Sequence, residues 1–121
     1  MQTTEGDRSV ISWEQLPAVI TTYLTAHRAR DVETALGTLA ADAAVTDEGR
    51  THRGRDEVRA WLARAGSGYT FTTRFTGATT TGEAHVDVRQ RIEGDFPGGV
   101  ADLHYRFTLD GDLITRLVIE P

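Results

Sequence analysis

The 121-residue chain contains no cysteine and no lysine. The first absence excludes disulfides, thiolate metal sites and cysteine nucleophiles. The second excludes Schiff-base chemistry and a phosphate-loop lysine, since all 13 basic residues are arginine. No apolar run approaches the roughly 18 residues that a membrane-spanning helix needs. The opening MQTTEGDRSV lacks the basic and apolar regions of a secretory signal. A net charge of -5 argues against the basic stripe of a nucleic-acid binder. These absences describe a cytoplasmic protein with no nucleic-acid or membrane partner. The Ala-, Gly- and Arg-rich usage suggests a GC-rich bacterial gene.

What is present is ordinary for a globular domain: 39% hydrophobic and 26% charged residues. The length fits one domain. A chain of this size buries somewhat over ~60% of its unfolded surface, enough for a core of its own. Residues 1–11 are polar and unperiodic and read as a flexible arm, leaving 12–121 as a single domain.

Ser12 and Gln15 form a capping-box pattern, and Pro17 requires the regular helix to begin beside it. Leu16, Val19, Ile20, Tyr23, Leu24 and His27 then make one helical stripe. This predicts a helix over 16–28. Asp31 is placed to cap a second helix over 31–41, with Gly37 as a weak point. Ala43 to Thr46 is short and apolar and runs into the turn Asp47-Glu48-Gly49, followed by a brief strand from Arg50 to Arg53. Val58, Trp61, Leu62 and Ala65 predict a third helix over 55–65, stopped by Gly66. From Tyr69 onward the period becomes two, in runs separated by Gly77–Gly82, Gly94–Gly99 and Asp110-Gly111. Helices followed by hairpin-linked strands predict an α+β domain.

The stretches AVITTYLTAHRARD (18–31), LAADAAVTDEG (39–49), RGRDEVRAWL (53–62) and HYRFTLDGDLITRL (104–117), in this order, resemble the nuclear transport factor 2-like superfamily. Within it the chain is similar to the SnoaL-like and ketosteroid-isomerase-like group. The resemblance covers about Leu16 to Ile119. It implies a cone-shaped roll: three N-terminal helices packed on a strongly curved mixed or antiparallel sheet that encloses a mostly apolar pocket. The superfamily includes isomerases, dehydratases, epoxide hydrolases, polyketide cyclases and pockets without known chemistry, so the fold alone selects no activity.

By alternation, the expected pocket lining is Trp13 or Leu16, Tyr23, Val45, Asp47, Trp61, Tyr69, Phe71, Val88, Gln90, Leu103, Tyr105 and Phe107. The resemblance places Tyr23 and Asp47 on the two positions that in ketosteroid isomerases hold the oxyanion donor and the proton shuttle. A carboxylate desolvated in an apolar pocket becomes a stronger base, and a phenol aimed at a carbonyl oxygen stabilises the enolate. Leu103 falls where those isomerases carry a second acid, so the oxyanion hole is half present. The expected catalytic pair is therefore Asp47 and Tyr23, with Trp61, Tyr69, Phe71, Gln90, Leu103, Tyr105 and Phe107 binding a small apolar ligand. No cofactor is expected.

Two classes of function remain open on the residues. One is an enzyme of proton transfer on a hydrophobic carbonyl compound. The other is a non-catalytic ligand-binding or dimerisation module, in which Tyr23 is core and Asp47 a turn residue. The four histidines show no metal-ligand spacing and no metal site is expected; His27 suits the dipole at its helix end, and His52 alone lies near the expected pocket mouth. The outer sheet face should carry Asp87, Arg89, Arg91, His104, Arg106 and Arg116, a mixture suited to a homodimer about a two-fold axis.

Overall fold

The computed structural model describes residues 8–65 and 67–121. Strand β1 (Arg8–Ile11) leads through a 3-10 turn (Trp13–Gln15) to helices α1 (Ala18–Arg28) and α2 (Val32–Gly37). Strands β2 (Leu39–Asp47) and β3 (Arg50–Arg53) follow, then α3 (Gly54–Arg64). The chain closes with β4 (Phe71–Thr81), β5 (His85–Gly94), β6 (Val100–Asp110) and β7 (Leu113–Glu120). All seven strands share one curved, unclosed sheet in the order β1-β4-β5-β6-β7-β2-β3. Every pairing is antiparallel except β2 with β7, which is parallel. The sheet is therefore mixed.

The local signals act largely as expected. Gln15 Oε1 accepts from the Ser12 N–H at 2.9 Å, closing the capping box on the 3-10 turn. Pro17 caps α1, which starts at the next residue. The Asp31 side chain accepts from the Thr34 N–H at 3.2 Å and starts α2. Val58, Trp61 and Leu62 are the buried face of α3.

Two boundaries differ. Residues 8–11 of the expected arm form β1, with Val10 opposite Thr79 and Ile11 opposite Ala78. Pairing satisfies their backbone groups on the edge of β4, and Ile11 packs against the core. Residues 1–7 of that arm, and the expected helix stop at Gly66, lie outside the described residues. The second helix ends at Gly37 rather than 41. There the Thr38 hydroxyl donates to the Ala35 carbonyl at 2.6 Å, and Leu39 enters the sheet opposite Ile114. Tertiary pairing thus overrides the weak helix propensity beyond a glycine.

The inner sheet face is used in two ways. At one end Ala78, Val86, Val88, Phe107, Ile114 and Leu117 are buried beneath the helices. At the other end the helices leave it uncovered, and Phe71, Thr73, Gln90, Ile92, Leu103, Tyr105 and Ile119 face open space. A bulge between Phe75 and Gly77 in β4 keeps Phe71, Phe75 and Ala78 all directed inward. The open end is pinned where Gly94 pairs with Phe71. A Cβ on Gly94 would overlap the Thr70 carbonyl oxygen and lie 2.7 Å from Phe71 Cα. Both neighbours are backbone, so Gly94→Ala is expected to cost about 1–3 kcal/mol. Urea denaturation checks this; an unchanged midpoint would contradict it.

Candidate functional site

The uncovered end of the sheet forms a cavity of about 650 Å³. Its inner wall is the sheet, its side walls are Leu24 and His27 of α1 and Trp61 of α3, and its mouth carries Arg28, Arg30, Ala65 and Tyr69. Among the described residues, Asp47 is the only acidic one on the lining.

Strand register sets the floor. Asp47 is the last residue of β2 and lies opposite Ile119 of β7, which lies opposite Tyr105 of β6. Asp47 and Tyr105 thus stand two strands apart, about 10 Å between backbones, with Ile119 between them. Behind Asp47 the chain reverses through Glu48 and Gly49, at φ 53° and 76°, as two-residue hairpins require. The Trp61 indole N–H donates to Asp47 Oδ2 at 3.0 Å and fixes the carboxylate. Burial pushes the Tyr105 hydroxyl up to about 12, against an opposing hydrogen bond with Gln90 and with the Asp47 charge adding to the rise. Tyr105 is therefore a protonated donor at neutral pH. Gln90 beside it is 4% exposed.

Tyr23 is completely buried and is not on the cavity lining, although the Asp47 charge acts on its hydroxyl. Its ring packs edge-on against Phe107, 5.8 Å between centroids, and Phe107 is likewise core and not wall. Val45 and Val88 are core as well, while Trp13 and Leu16 lie away from the cavity. Asp47, Trp61, Tyr69, Phe71, Gln90, Leu103 and Tyr105 line it as expected.

His27, expected only to suit the dipole at its helix end, is on the cavity wall. It lies one turn beyond Tyr23 on the same stripe, and this turn carries it from the core to the cavity wall. Its Nδ1 is 3.0 Å from the Tyr23 hydroxyl, and its ring sits edge-on to Trp61 at 5.6 Å. Burial raises the pKa of Tyr23 well above its ordinary value, so its hydroxyl keeps its proton. Either that O–H donates to Nδ1, with the ring proton on Nε2, or Nδ1–H donates to the phenol oxygen. His52 stacks on the far side of Trp61 at 6.2 Å, and is not on the lining.

Burial lowers the His27 pKa from about 6.5; the Asp47 charge opposes this and the Arg30 charge adds to it. The unfolded chain therefore binds this proton more readily than the folded one. His27 leaves stability intact above about pH 6.5 and withdraws it as pH falls below that value. His27→Gln is expected to flatten this part of the stability–pH curve, as read by urea denaturation at a series of pH values. An unchanged slope would show that His27 is not the group responsible.

Among the described residues no cluster of three or more His, Asp or Glu is placed to hold a metal ion. No described helix is long and apolar enough to cross a membrane.

The SnoaL-like domain model matches residues 20–117. The chain belongs to the SnoaL-like family. The SnoaL-like fold is shared with a candidate polyketide cyclase from Sinorhizobium meliloti, 29% identical, covering 91% of this chain and all of that one with a TM-score of 0.83. A protein from Sphaerobacter thermophilus is 25% identical, covering 84% and 91% of the two chains with a TM-score of 0.71. The Δ5-3-ketosteroid isomerase of a Mycobacterium species shares the fold at 17% identity and a TM-score of 0.70, covering 86% and 90%. No match was found among curated proteins. These likenesses show that the SnoaL-like chain shares one fold with all three.

Proposed function

We propose that the cavity binds a small hydrophobic carbonyl compound and that Asp47 moves a proton on it, in an isomerase- or cyclase-type reaction without a cofactor. The observation that carries this reading is the Asp47 carboxylate. It is held by Trp61 on the lining of a cavity with both apolar and polar walls, two strands from a protonated tyrosine. Asp47 takes the proton from the carbon next to the carbonyl, and the electron pair moves onto oxygen as an enolate. Tyr105, supported by Gln90, donates a hydrogen bond to that oxygen. The proton then returns from Asp47 to the same or a conjugated carbon. Tyr23 acts one step back, by holding the His27 ring. Leu103 contributes packing only, so this chain offers one donor fewer than an isomerase with a second acid.

Exchange of the α-protons of 2-tetralone into deuterium oxide, followed by proton NMR, tests the chemistry. Exchange well above the buffer rate is the expected result. Binding without exchange would instead favour a ligand-holding module with no chemistry.

We also propose that the protein works as a cytoplasmic homodimer paired through the outer sheet face. There Asp87 meets His104 at 2.9 Å, Arg89 at 3.8 Å and Arg106 at 3.9 Å. Arg91 holds Asp102 at 2.9 Å, and Arg106 also pairs with Glu120. Such a pre-ordered polar face, with acids and arginines interleaved, can meet its own copy about a two-fold axis. Sedimentation at micromolar concentration should give twice the 13.3 kDa chain mass; a monomer would contradict the pairing.

A further inference from the structure

The two arginines at the cavity mouth point to the class of ligand. Arg28 is in the last turn of α1, where a cation suits the helix dipole. Arg30 stands differently. It is past the helix end and adopts φ 60°. The Asp31 N–H donates to the Ala26 carbonyl at 2.8 Å and the Arg30 N–H to the His27 carbonyl at 3.1 Å. This is the Schellman arrangement, in which the left-handed residue is ordinarily glycine. An arginine there carries a backbone strain that glycine would not. Such strain at a cavity mouth is a mark of function more than of folding. The side chain is also held in place, with Nη1 3.4 Å from the Ala65 carbonyl on the opposite rim. Two arginines thus stand over a cavity with apolar patches whose only acid among the described residues is Asp47 at the floor, in a chain of net charge -5.

We propose that the ligand is a hydrophobic anion, with a carboxylate head group held at the mouth by Arg28 and Arg30 and an apolar body extending to Asp47. This rests on the reading of the cavity as a carbonyl-compound site and adds the polarity and direction of what enters it. Planar guanidinium groups favour carboxylate over a neutral polar group of the same shape. The same arrangement keeps the substrate's own charge at the rim, away from the Asp47 carboxylate it would otherwise repel.

The test compares naphthalene-2-carboxylate with naphthalene-2-carboxamide by isothermal titration calorimetry. Wild-type protein should bind the carboxylate about tenfold more tightly than the amide, with the advantage shrinking at high salt. Arg28→Gln combined with Arg30→Gly keeps the left-handed turn and should bring the two probes level. Leu103→Trp, which fills the cavity, should weaken both. If the wild-type protein binds carboxylate and amide equally, the anion inference falls and the cavity reading stands. If neither binds, both fall. Carboxylate binding that keeps its full affinity in Leu103→Trp, or a carboxylate preference that survives the double arginine variant, places the anion elsewhere on the surface and overturns the proposal. The salt dependence of the wild-type protein decides the matter on its own should the arginine variant fail to fold.

Discussion

Asp47→Asn is expected to slow α-proton exchange by about 10²–10⁴-fold, because it removes the base and leaves the shape of the cavity intact. The amide still accepts from the Trp61 N–H that now reaches Asp47 Oδ2 at 3.0 Å, so ligand affinity should change far less than rate. The measurement is the NMR exchange rate at saturating 2-tetralone, with affinity taken separately from calorimetry. A variant that exchanges as fast as the wild type would remove Asp47 from the mechanism. Loss of affinity and rate together would make it a binding residue.

Trp61 carries the largest expected effect on stability. It is 4% exposed, stands between His27 and His52, and supplies the donor to Asp47. Trp61→Ala should cost about 3–5 kcal/mol, from the lost burial and the void it opens. Trp61→Phe keeps most of the packing and should cost only about 1 kcal/mol for the missing hydrogen bond. It also frees the carboxylate to rotate, so exchange should fall further than stability does. Urea denaturation of the two variants, alongside their exchange rates, separates wall from donor. Equal losses of stability in both would mean that the indole N–H, not the ring, holds this part of the fold.

The contrast between Tyr23 and His27 shows what was legible in the chain. The stripe from Leu16 to His27 is plain in the sequence, and so is its burial. What the stripe cannot show is where along the helix the core ends and the open space begins. That boundary depends on how far α1 and α3 extend over the sheet, which is a property of packing and not of period. The period therefore leaves Tyr23 and His27 equivalent, and only packing puts the one in the core and the other on the cavity wall. Asp47, Gln90, Leu103 and Tyr105 were legible because alternation in a strand decides the face outright. The length of β2 was not, since the stretch from Leu39 to Ala44 is rich in alanine and fits a helix equally well. Only its partner, β7, makes it a strand.

That pairing also sets an order of events during synthesis. β2 has β3 on one side and β7 on the other, so Val45 waits for Leu117 and Asp47 for Ile119. A nascent chain can assemble the β4-β5-β6 hairpins as they emerge, whereas β2 lacks its second neighbour until the final strand has left the ribosome. Distant pairings of this kind close slowly, because chain entropy is lost before any contact rewards it. The strand that carries the cavity-floor carboxylate is thus among the last to be fully paired, and a chain lacking β7 would hold Asp47 only through β3 and Trp61.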